Sequence, residues 1–237
     1  PLLNDTPPPD IYTGDTSSAA SDVYKRHDQY GIANTLNDLG IVADRRGEYE
    51  EAKALYGESL AIRQQIDHQW GIGLSLSNLG YLAYRYGRYA EAKPLLEESL
   101  VIQRDIGDQY QIANCLSNLG AAVCVLGEYE AARRYFSESL RFALEVGAVP
   151  LVLEVVAEMA GLLTASLPAE RERAAQLYTL ALHHPASDKL TQETAERELA
   201  ELATNLPPEV MTAAQEKGKA SDLELVVAEI LGEVRHT

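Results

Sequence analysis

The sequence is short of cysteine and of positive charge. Its 237 residues include only two cysteines, Cys115 and Cys124, and 20 Lys and Arg against 36 Asp and Glu. Nine positions apart on one predicted helix, the two thiols face opposite sides, which argues against an intrachain disulfide and favours a reducing compartment. A net charge of −16 repels nucleic acid and anionic membranes. The sequence therefore predicts a cytoplasmic protein that binds neither nucleic acid nor membrane.

Long apolar runs and large apolar rings are scarce as well. We find neither an N-terminal apolar signal segment nor an apolar run long enough to cross a bilayer. Phe and Trp number 2 and 1, whereas Tyr numbers 13, which suits half-buried helix faces because the ring is apolar and the hydroxyl can meet water. Because the chain starts at Pro1 without Met, we expect a piece of a longer protein, with a flexible Pro-rich leader over 1–16.

Residues for catalysis or metal binding are sparse. The five histidines contain no pair at metal-binding helical spacing, and neither cysteine lies in a Cys-x-x-Cys motif. His183 and His184 precede Pro185 and are interpreted as a helix terminus, where such side chains meet the helix dipole. Carboxylate pairs are too common on helix surfaces to indicate a site. We therefore predict no enzyme activity, no cofactor and no metal.

What the sequence does contain is a forty-residue repeat. Leu-Gly recurs at that period, with its glycines at Gly40, Gly80 and Gly120, each time after Asp or Asn. A Gly-x-Tyr turn begins seven residues after each of these glycines, and an Ala, a large apolar residue and a Ser-Leu pair follow in register. Three copies agree over their whole length: 31–70, 71–110 and 111–150.

Each copy has the periodicity of two helices. In the first copy, apolar or small residues fall on one stripe of a helix over roughly 48–67, and 31–45 predicts a helix before it. Gly40 lies in the middle of that first helix, where glycine costs about 1 kcal/mol relative to alanine. Its recurrence therefore indicates that a neighbouring helix packs against bare backbone. Gly47 is predicted to end the first helix.

The flanking segments are predicted to be degenerate copies and a cap. Residues 17–30 are interpreted as a truncated half-repeat helix, and 151–186 as a fourth repeat with a two-residue insertion before Pro168. The remaining 187–237 predicts a helical cap over the apolar end of the array. Its predicted helices are 188–204, a short one from Pro207 and Pro208, and 221–234 behind a capping box that starts at Ser221.

These columns resemble the tetratricopeptide repeat (TPR), in the longer variant found in kinesin light chains and in the sensor regions of bacterial STAND signalling ATPases and transcriptional regulators. The resemblance covers 31–150 and implies an all-α, right-handed superhelix of antiparallel helix pairs, an α-solenoid, with C-terminal capping helices. Two columns depart from the family: Ser59, Ser99 and Ser139 stand where Ala is usual, and Asp38 stands where the other copies have Asn.

The resemblance also implies a concave groove lined by the first helix of each pair. Asn side chains can donate to and accept from a peptide backbone and Arg can grip a carboxylate, so such a groove suits an extended peptide. Packing between helices explains the Asn residues equally well, and explains the Tyr residues better. Carried over by position, the groove residues are Asn34, Asn37, Asp38, Ile41, Arg45, Leu74, Asn78, Tyr81, Tyr84, Arg85, Asn114, Asn118 and Ala121.

Three functions are consistent with these features. The first is a protein- or peptide-binding module that serves as the sensor or scaffold arm of a larger bacterial signalling protein. The second is a sensor that binds a small-molecule effector and switches an upstream domain. The third is self-association through the ends of the solenoid, giving a homo-oligomer.

Overall fold

In a computed structural model of the chain, residues 15–232 are described, without the side chains of 15–27 and of Pro168. Every regular element in this range is helical, which confirms the all-α fold. A 3-10 helix, η1, covers Pro168–Glu170. The α-helices are α1 Asp15–Arg46, α2 Tyr49–Gln65, α3 Gln69–Arg85, α4 Tyr89–Ile106, α5 Gln109–Val125, α6 Tyr129–Glu145, α7 Val149–Ser166, α8 Arg171–His183, α9 Lys189–Asn205, α10 Pro208–Ala220 and α11 Leu223–Ile230.

Glycines in a left-handed conformation separate the two helices of each repeat. Gly47, Gly87 and Gly127 have φ angles of 82°, 75° and 82°. Glycine adopts this region without the steric penalty that a Cβ would bring, so the chain can leave one helix and enter the next within a few residues. The amide of Gly47 donates to the carbonyl of Asp44 at 2.9 Å. The prediction that Gly47 ends the first helix is confirmed.

The mid-helix glycines are contact points between the two helices of a repeat. A Cβ placed on Gly40, Gly80 or Gly120 would lie only 2.6 to 2.7 Å from a side chain of the following helix. Such a distance is too short for any real Cβ, so only a bare backbone permits the approach. The predicted reason for these glycines is therefore confirmed. The side chains that fill the space are those of Tyr56, Leu96 and Phe136, respectively.

The serine column, where the family usually has alanine, has a hydrogen-bonding role. The Ser59 hydroxyl donates to the carbonyl of Ala33 at 2.7 Å, and the Ser139 hydroxyl donates to that of Ala113 at the same distance. Both serines are fully buried. A buried hydroxyl needs a partner, and these find one on the backbone of the first helix of their own repeat.

The chain forms two compact units, 1–75 and 76–237. In the first unit α1 packs against α2. In the second unit each helix from α4 to α9 packs against the next, and α10 packs against α8. One hydrophobic core extends through this unit from Ala83 to Val227. The predicted cap helices α9 and α10 are present, and they cover this core after α8.

Two sequence-based boundaries are wrong. The half-repeat helix predicted over 17–30 and the first helix predicted over 31–45 are one helix, α1, because Gly31 is helical and nothing interrupts the backbone there. The capping box predicted at Ser221 is also absent. Asp222 is the N-cap of α11 and accepts from the Leu225 amide at 3.0 Å, while the Ser221 hydroxyl donates back to the Lys217 carbonyl. Of the predicted leader, 1–14 lie outside the described residues.

Helix α7 is more apolar than we predicted from the sequence. Among the described helices it has the length and mean hydropathy, 1.6 over 18 residues, that would suffice to cross a bilayer. Half of its residues are buried in this protein, where α6 and α8 pack against it. Burial of this kind is typical of a core helix. We predicted that no apolar segment is long enough to cross a bilayer. By length and composition alone, α7 is such a segment.

Candidate ligand-binding cavity

A cavity of about 500 Å³ lies in the second unit. Its walls come from the end of α3, from α5, α7 and α9, and from single tyrosines of α6 and α8. The volume falls within the range of roughly 300 to 1,000 Å³ that is usual for ligand pockets. The first helices of three successive pairs, α3, α5 and α7, therefore line one partly open cavity.

The repeat register determines which residues of these helices line the cavity. Tyr81, Ala121 and Gly161 are forty residues apart and line it from α3, α5 and α7. Asn118 and Glu158 form a second such column. Because the three helices repeat the same geometry, equivalent positions point into the same space. The side chain shrinks along the first column, from Tyr to Ala to Gly, which makes room toward α7.

Tyrosine rings form the deeper wall. Tyr178 is 3% exposed, and its hydroxyl lies beside Gly161, where an added Cβ would come within 3.1 Å of the oxygen. Tyr84 is half-buried, with its ring 5.8 Å from that of Tyr89. Burial raises the pKa of both Tyr84 and Tyr178 well above the usual range of a phenol. Both hydroxyls therefore stay neutral and are available as hydrogen-bonding groups.

Two carboxyl groups from α7 face the cavity. Glu154 and Glu158 are one helical turn apart, and both line the space. Burial raises the pKa of each to about 7, well above the usual 4.5. The negative charge of Glu158 raises the pKa of Glu154 further. The negative charge of Glu198 raises the pKa of Glu158, and the positive charge of Arg197 lowers it. Near neutral pH these groups are poised between the acid and the carboxylate.

Helix α9 adds three charged residues on the opposite wall. Asp188 is the N-cap of α9 and accepts from the Thr191 amide at 2.8 Å. Arg197 donates to its neighbour Glu198 at 3.0 Å. The positive charge of Arg197 is therefore already compensated within α9. Counted together, Glu154, Glu158, Asp188 and Glu198 give the cavity a strongly acidic lining when ionised.

The predicted groove residues in the second unit divide into two sets. Tyr81, Tyr84, Asn118 and Ala121 line the cavity. Asn114 contributes indirectly, because its side-chain oxygen accepts from the Asn118 amide at 3.0 Å. Asn78 and Arg85 do not line the cavity. Ligand contact by the first set stays a prediction.

In the first unit, one predicted groove residue, Asn34, contacts a buried arginine. Arg63 is 1% exposed and donates to the Gly71 carbonyl, to the Ser75 hydroxyl and, at 2.9 Å, to the side-chain oxygen of Asn34. Burial lowers the pKa of Arg63, whereas the nearby charges of Tyr30 and Asp38 raise it. Asn34 therefore has a structural partner already.

The other predicted groove residues of this unit have no contact that assigns them to a ligand. Asn37 is buried, Ile41 and Leu74 are half-buried, and Asp38 and Arg45 are exposed. Their role as a groove stays a prediction.

Groups suited to covalent or metal chemistry are not assembled at the cavity. Burial raises the pKa of Cys124 to about 11, with a further contribution from Glu158, so its sulfur is a thiol at neutral pH and a poor nucleophile. Among the side chains that the structure describes, no group of three His, Cys, Asp or Glu could hold a metal ion.

Sequence reasoning missed the acidic side of the cavity. Glu154 and Glu158 stand forty residues after Asn114 and Asn118, so the same register that gave the groove positions would have included them. The residues of α9 had no such signal, because α9 lies beyond the last repeat. Their position follows only from the way α9 packs against α7 and α8.

The repeats match known family models. Residues 71–145 and, separately, 32–66 match models of the tetratricopeptide repeat. Together the matches cover the three copies that define the forty-residue register, up to the end of α6. No curated protein matches the chain. Tetratricopeptide repeats in general are non-catalytic scaffolds that mediate protein–protein interaction.

Proposed function

The chain carries tetratricopeptide repeats, and from that premise we propose that it binds a protein partner through a peptide segment inserted into the cavity of the second unit. The observation that carries the proposal is the convergence of equivalent positions from α3, α5 and α7 on one space of about 500 Å³.

The lining suits a peptide in its chemistry as well as its shape. Asn118 and Thr194 can form hydrogen bonds with a peptide backbone, and Ala157 and Tyr81 offer apolar contact area. Pockets that combine apolar walls with a few polar groups fix both the position and the orientation of a ligand. A short segment of a partner protein has both kinds of group.

Filling the cavity tests this proposal. A peptide library is first selected against the 237-residue chain, and the affinity of the enriched peptides is then measured for Thr194→Trp. Thr194 lines the cavity from α9, so the indole is expected to occupy the space and to weaken peptide binding by about tenfold or more, which is roughly 1.4 kcal/mol. Thr204→Trp is the matched control, because Thr204 is exposed on the same helix and does not line the cavity.

Two outcomes would contradict the proposal. One is that no peptide binds the wild-type chain. The other is that the selected peptides bind Thr194→Trp as tightly as they bind Thr204→Trp.

We further propose that this module is the cytoplasmic sensor or scaffold arm of a larger bacterial signalling protein. The support is the resemblance of the forty-residue columns to the sensor regions of such proteins. The natural sequence upstream of Pro1 tests it directly. A nucleotide-binding or DNA-binding domain there would agree with the proposal, and an unrelated domain, such as an enzyme with its own substrate, would contradict it.

A small-molecule effector is the second candidate, and the volume of the cavity is the observation that favours it. A cavity of about 500 Å³ can hold a metabolite-sized ligand. Thermal-shift screening of metabolites on the wild-type chain and on Thr194→Trp separates the two functions. Stabilisation of the wild type alone by a free metabolite favours the effector, whereas stabilisation by peptides alone favours the partner protein.

A further inference from the structure

We infer that the cavity recognises a cationic group, an alkylammonium or a guanidinium, and that a Lys or Arg side chain of the partner peptide supplies it. This inference rests on the proposed function and specifies the ligand of that same site. It follows from four carboxyl groups that line one cavity together with a single arginine, which is already paired with Glu198.

The two glutamates of α7 carry the argument. Glu154 and Glu158 line the cavity side by side, and neither forms a hydrogen bond or an ion pair with any residue that the structure describes. Buried carboxyl groups are usually satisfied by donors because leaving water without a replacement is unfavourable. The cavity that both side chains line has room for such donors. A bound cation would supply the missing partner to both groups at once.

Arg197, the arginine that lines the cavity, does not form an ion pair with Glu154 or Glu158. Arg197 lines the cavity, but its guanidinium donates to Glu198 from both Nε and Nη2, at 3.2 and 3.0 Å. Asp188 is likewise occupied in part, since one of its oxygens caps α9. The carboxyl groups of α7 therefore form no ion pair with a described residue, although the charge of Arg197 acts on Glu158. The lining as a whole carries an excess of negative charge.

Aromatic rings complete the recognition of a cation. Tyr81 and Tyr84 of α3, Tyr129 of α6 and Tyr178 of α8 all line the cavity. The negative face of a tyrosine ring attracts an ammonium or guanidinium group. The aliphatic stem of Lys or Arg can pack on such rings, so a side chain with an apolar stem and a charged end matches the lining better than an acidic or a neutral one.

Binding of a cation would depend on pH, because the carboxylate is the form that attracts it. The other titratable or charged groups that line the cavity with Glu154 and Glu158 are Tyr81, Tyr84, Cys124, Tyr129, Tyr178, Asp188, Arg197 and Glu198. With the pKa of both glutamates at about 7, each is mostly protonated at pH 6 and mostly ionised at pH 8. The affinity for a cation is therefore expected to rise by about tenfold between these two values, with release of protons.

The test uses defined probes on the 237-residue chain. The peptide Gly-Gly-Lys-Gly-Gly and its Arg, Gln and Glu counterparts, all with an acetylated N-terminus and an amidated C-terminus, are titrated at pH 6 and pH 8. Binding is followed by nuclear magnetic resonance up to millimolar concentrations. Agmatine, a small molecule with one guanidinium and one ammonium group, is titrated in parallel. The Lys and Arg peptides are expected to bind about tenfold more tightly than the Gln peptide at pH 8 and to weaken at pH 6. Agmatine is expected to bind more weakly than the Arg peptide.

Charge-neutral variants show whether cation binding depends on the carboxyl groups of the cavity or on the net negative charge of the protein. Glu154→Gln with Glu158→Gln is expected to abolish both the preference for Lys and Arg and its pH dependence. The matched control is Glu201→Gln with Glu216→Gln, which removes the same charge from exposed positions outside the cavity and is expected to change neither.

Three results would overturn the inference. One is a wild-type preference for the Gln or Glu peptide, and another is a preference for Lys that survives in Glu154→Gln with Glu158→Gln. Either would leave the proposed function standing if Thr194→Trp still blocks the binding of library-selected peptides. The third is binding of agmatine as tight as that of the Arg peptide, which would replace the peptide by a free cation as the source of the group.

Discussion

At the scale of single residues, the forty-residue period depends on where a Cβ can be accommodated. Gly40 and Gly57 both lie inside helices of the first unit, but their surroundings differ. A Cβ at Gly40 would stand 2.7 Å from the Tyr56 ring, whereas a Cβ at Gly57 would meet nothing within 4 Å. Only the first glycine is explained by packing. The second carries the ordinary penalty of glycine in a helix.

We expect opposite effects of alanine at these two glycines. Gly40→Ala is expected to lower the free energy of unfolding by about 1 to 3 kcal/mol, because the Tyr56 ring must move. Gly57→Ala is expected to raise it by up to about 1 kcal/mol through helix propensity. Urea denaturation of both variants measures the difference. Equal destabilisation by the two substitutions would contradict the packing explanation of the glycine column.

A second residue-scale prediction concerns Arg63. Its replacement by Met removes the donors to Gly71, Ser75 and Asn34 and leaves their oxygens buried, which is expected to destabilise the fold by about 3 kcal/mol. Arg104→Met is the control, because Arg104 pairs with Glu138 at the surface, and its loss is expected to cost about 0.5 kcal/mol. Thermal unfolding compares the two. Similar losses would mean that the buried network does not stabilise the first unit.

At the scale of the elements, the start of α11 depends on one side chain. Asp222→Ala removes the acceptor for the Leu225 amide and is expected to destabilise the end of the cap by about 1 kcal/mol. Ser221→Ala is expected to have a much smaller effect, because the Ser221 hydroxyl donates to Lys217 and does not cap the helix. Hydrogen exchange of the α11 amides measures both. Faster exchange in Ser221→Ala than in Asp222→Ala would reinstate the capping box.

The elements also show what the sequence can and cannot determine. Helix pairs are predictable because apolar periodicity and left-handed glycines such as Gly47 fix where each helix lies and ends. The continuity of α1 could not be predicted, because a glycine such as Gly31 is compatible both with a helix break and with a continuous helix. The choice between Ser221 and Asp222 as N-cap depends on competing hydrogen bonds that spacing does not reveal.

The candidate site was predictable in part for a related reason. The register identifies Tyr81, Asn118 and Ala121, and it extends to Glu154 and Glu158 once the fourth pair of helices is aligned. A carboxylate on a helix normally faces water, and nothing local marks these two as enclosed. The contribution of α9, which includes Arg197, depends on tertiary packing alone.

At the scale of the whole molecule, the enclosed glutamates make stability depend on pH. The folded pKa of Glu154 and of Glu158 is about 7, above the usual 4.5, so between these values the folded state binds more protons than the unfolded state. Stability from this source is fully present below about pH 4.5 and is lost as pH rises toward 7. We expect Glu154→Gln with Glu158→Gln to be more stable than wild type at pH 8 by about 3 kcal/mol or more, because each pKa unit corresponds to roughly 1.4 kcal/mol.

The same comparison at low pH provides the control. At about pH 4.5, where the enclosed glutamates are protonated, the Gln variant and the wild type are expected to have similar stability. Glu201→Gln with Glu216→Gln is expected to follow the wild type at both values. Urea denaturation at the two pH values gives the result, and a constant difference between the Gln variant and the wild type would contradict the assignment of raised pKa values.

The claim that the cavity of the second unit is the binding site for a partner peptide is tested most directly by methyl resonances. The 237-residue chain, labelled at Ala and Thr methyl groups, is titrated with a library-selected peptide. We expect the largest shifts at Ala157, Ala165 and Thr194, which line the cavity, and little change at Ala54 and Ala90, which are exposed on second helices. Shifts confined to Ala54 and Ala90, with Ala157 and Thr194 unmoved, would contradict the claim.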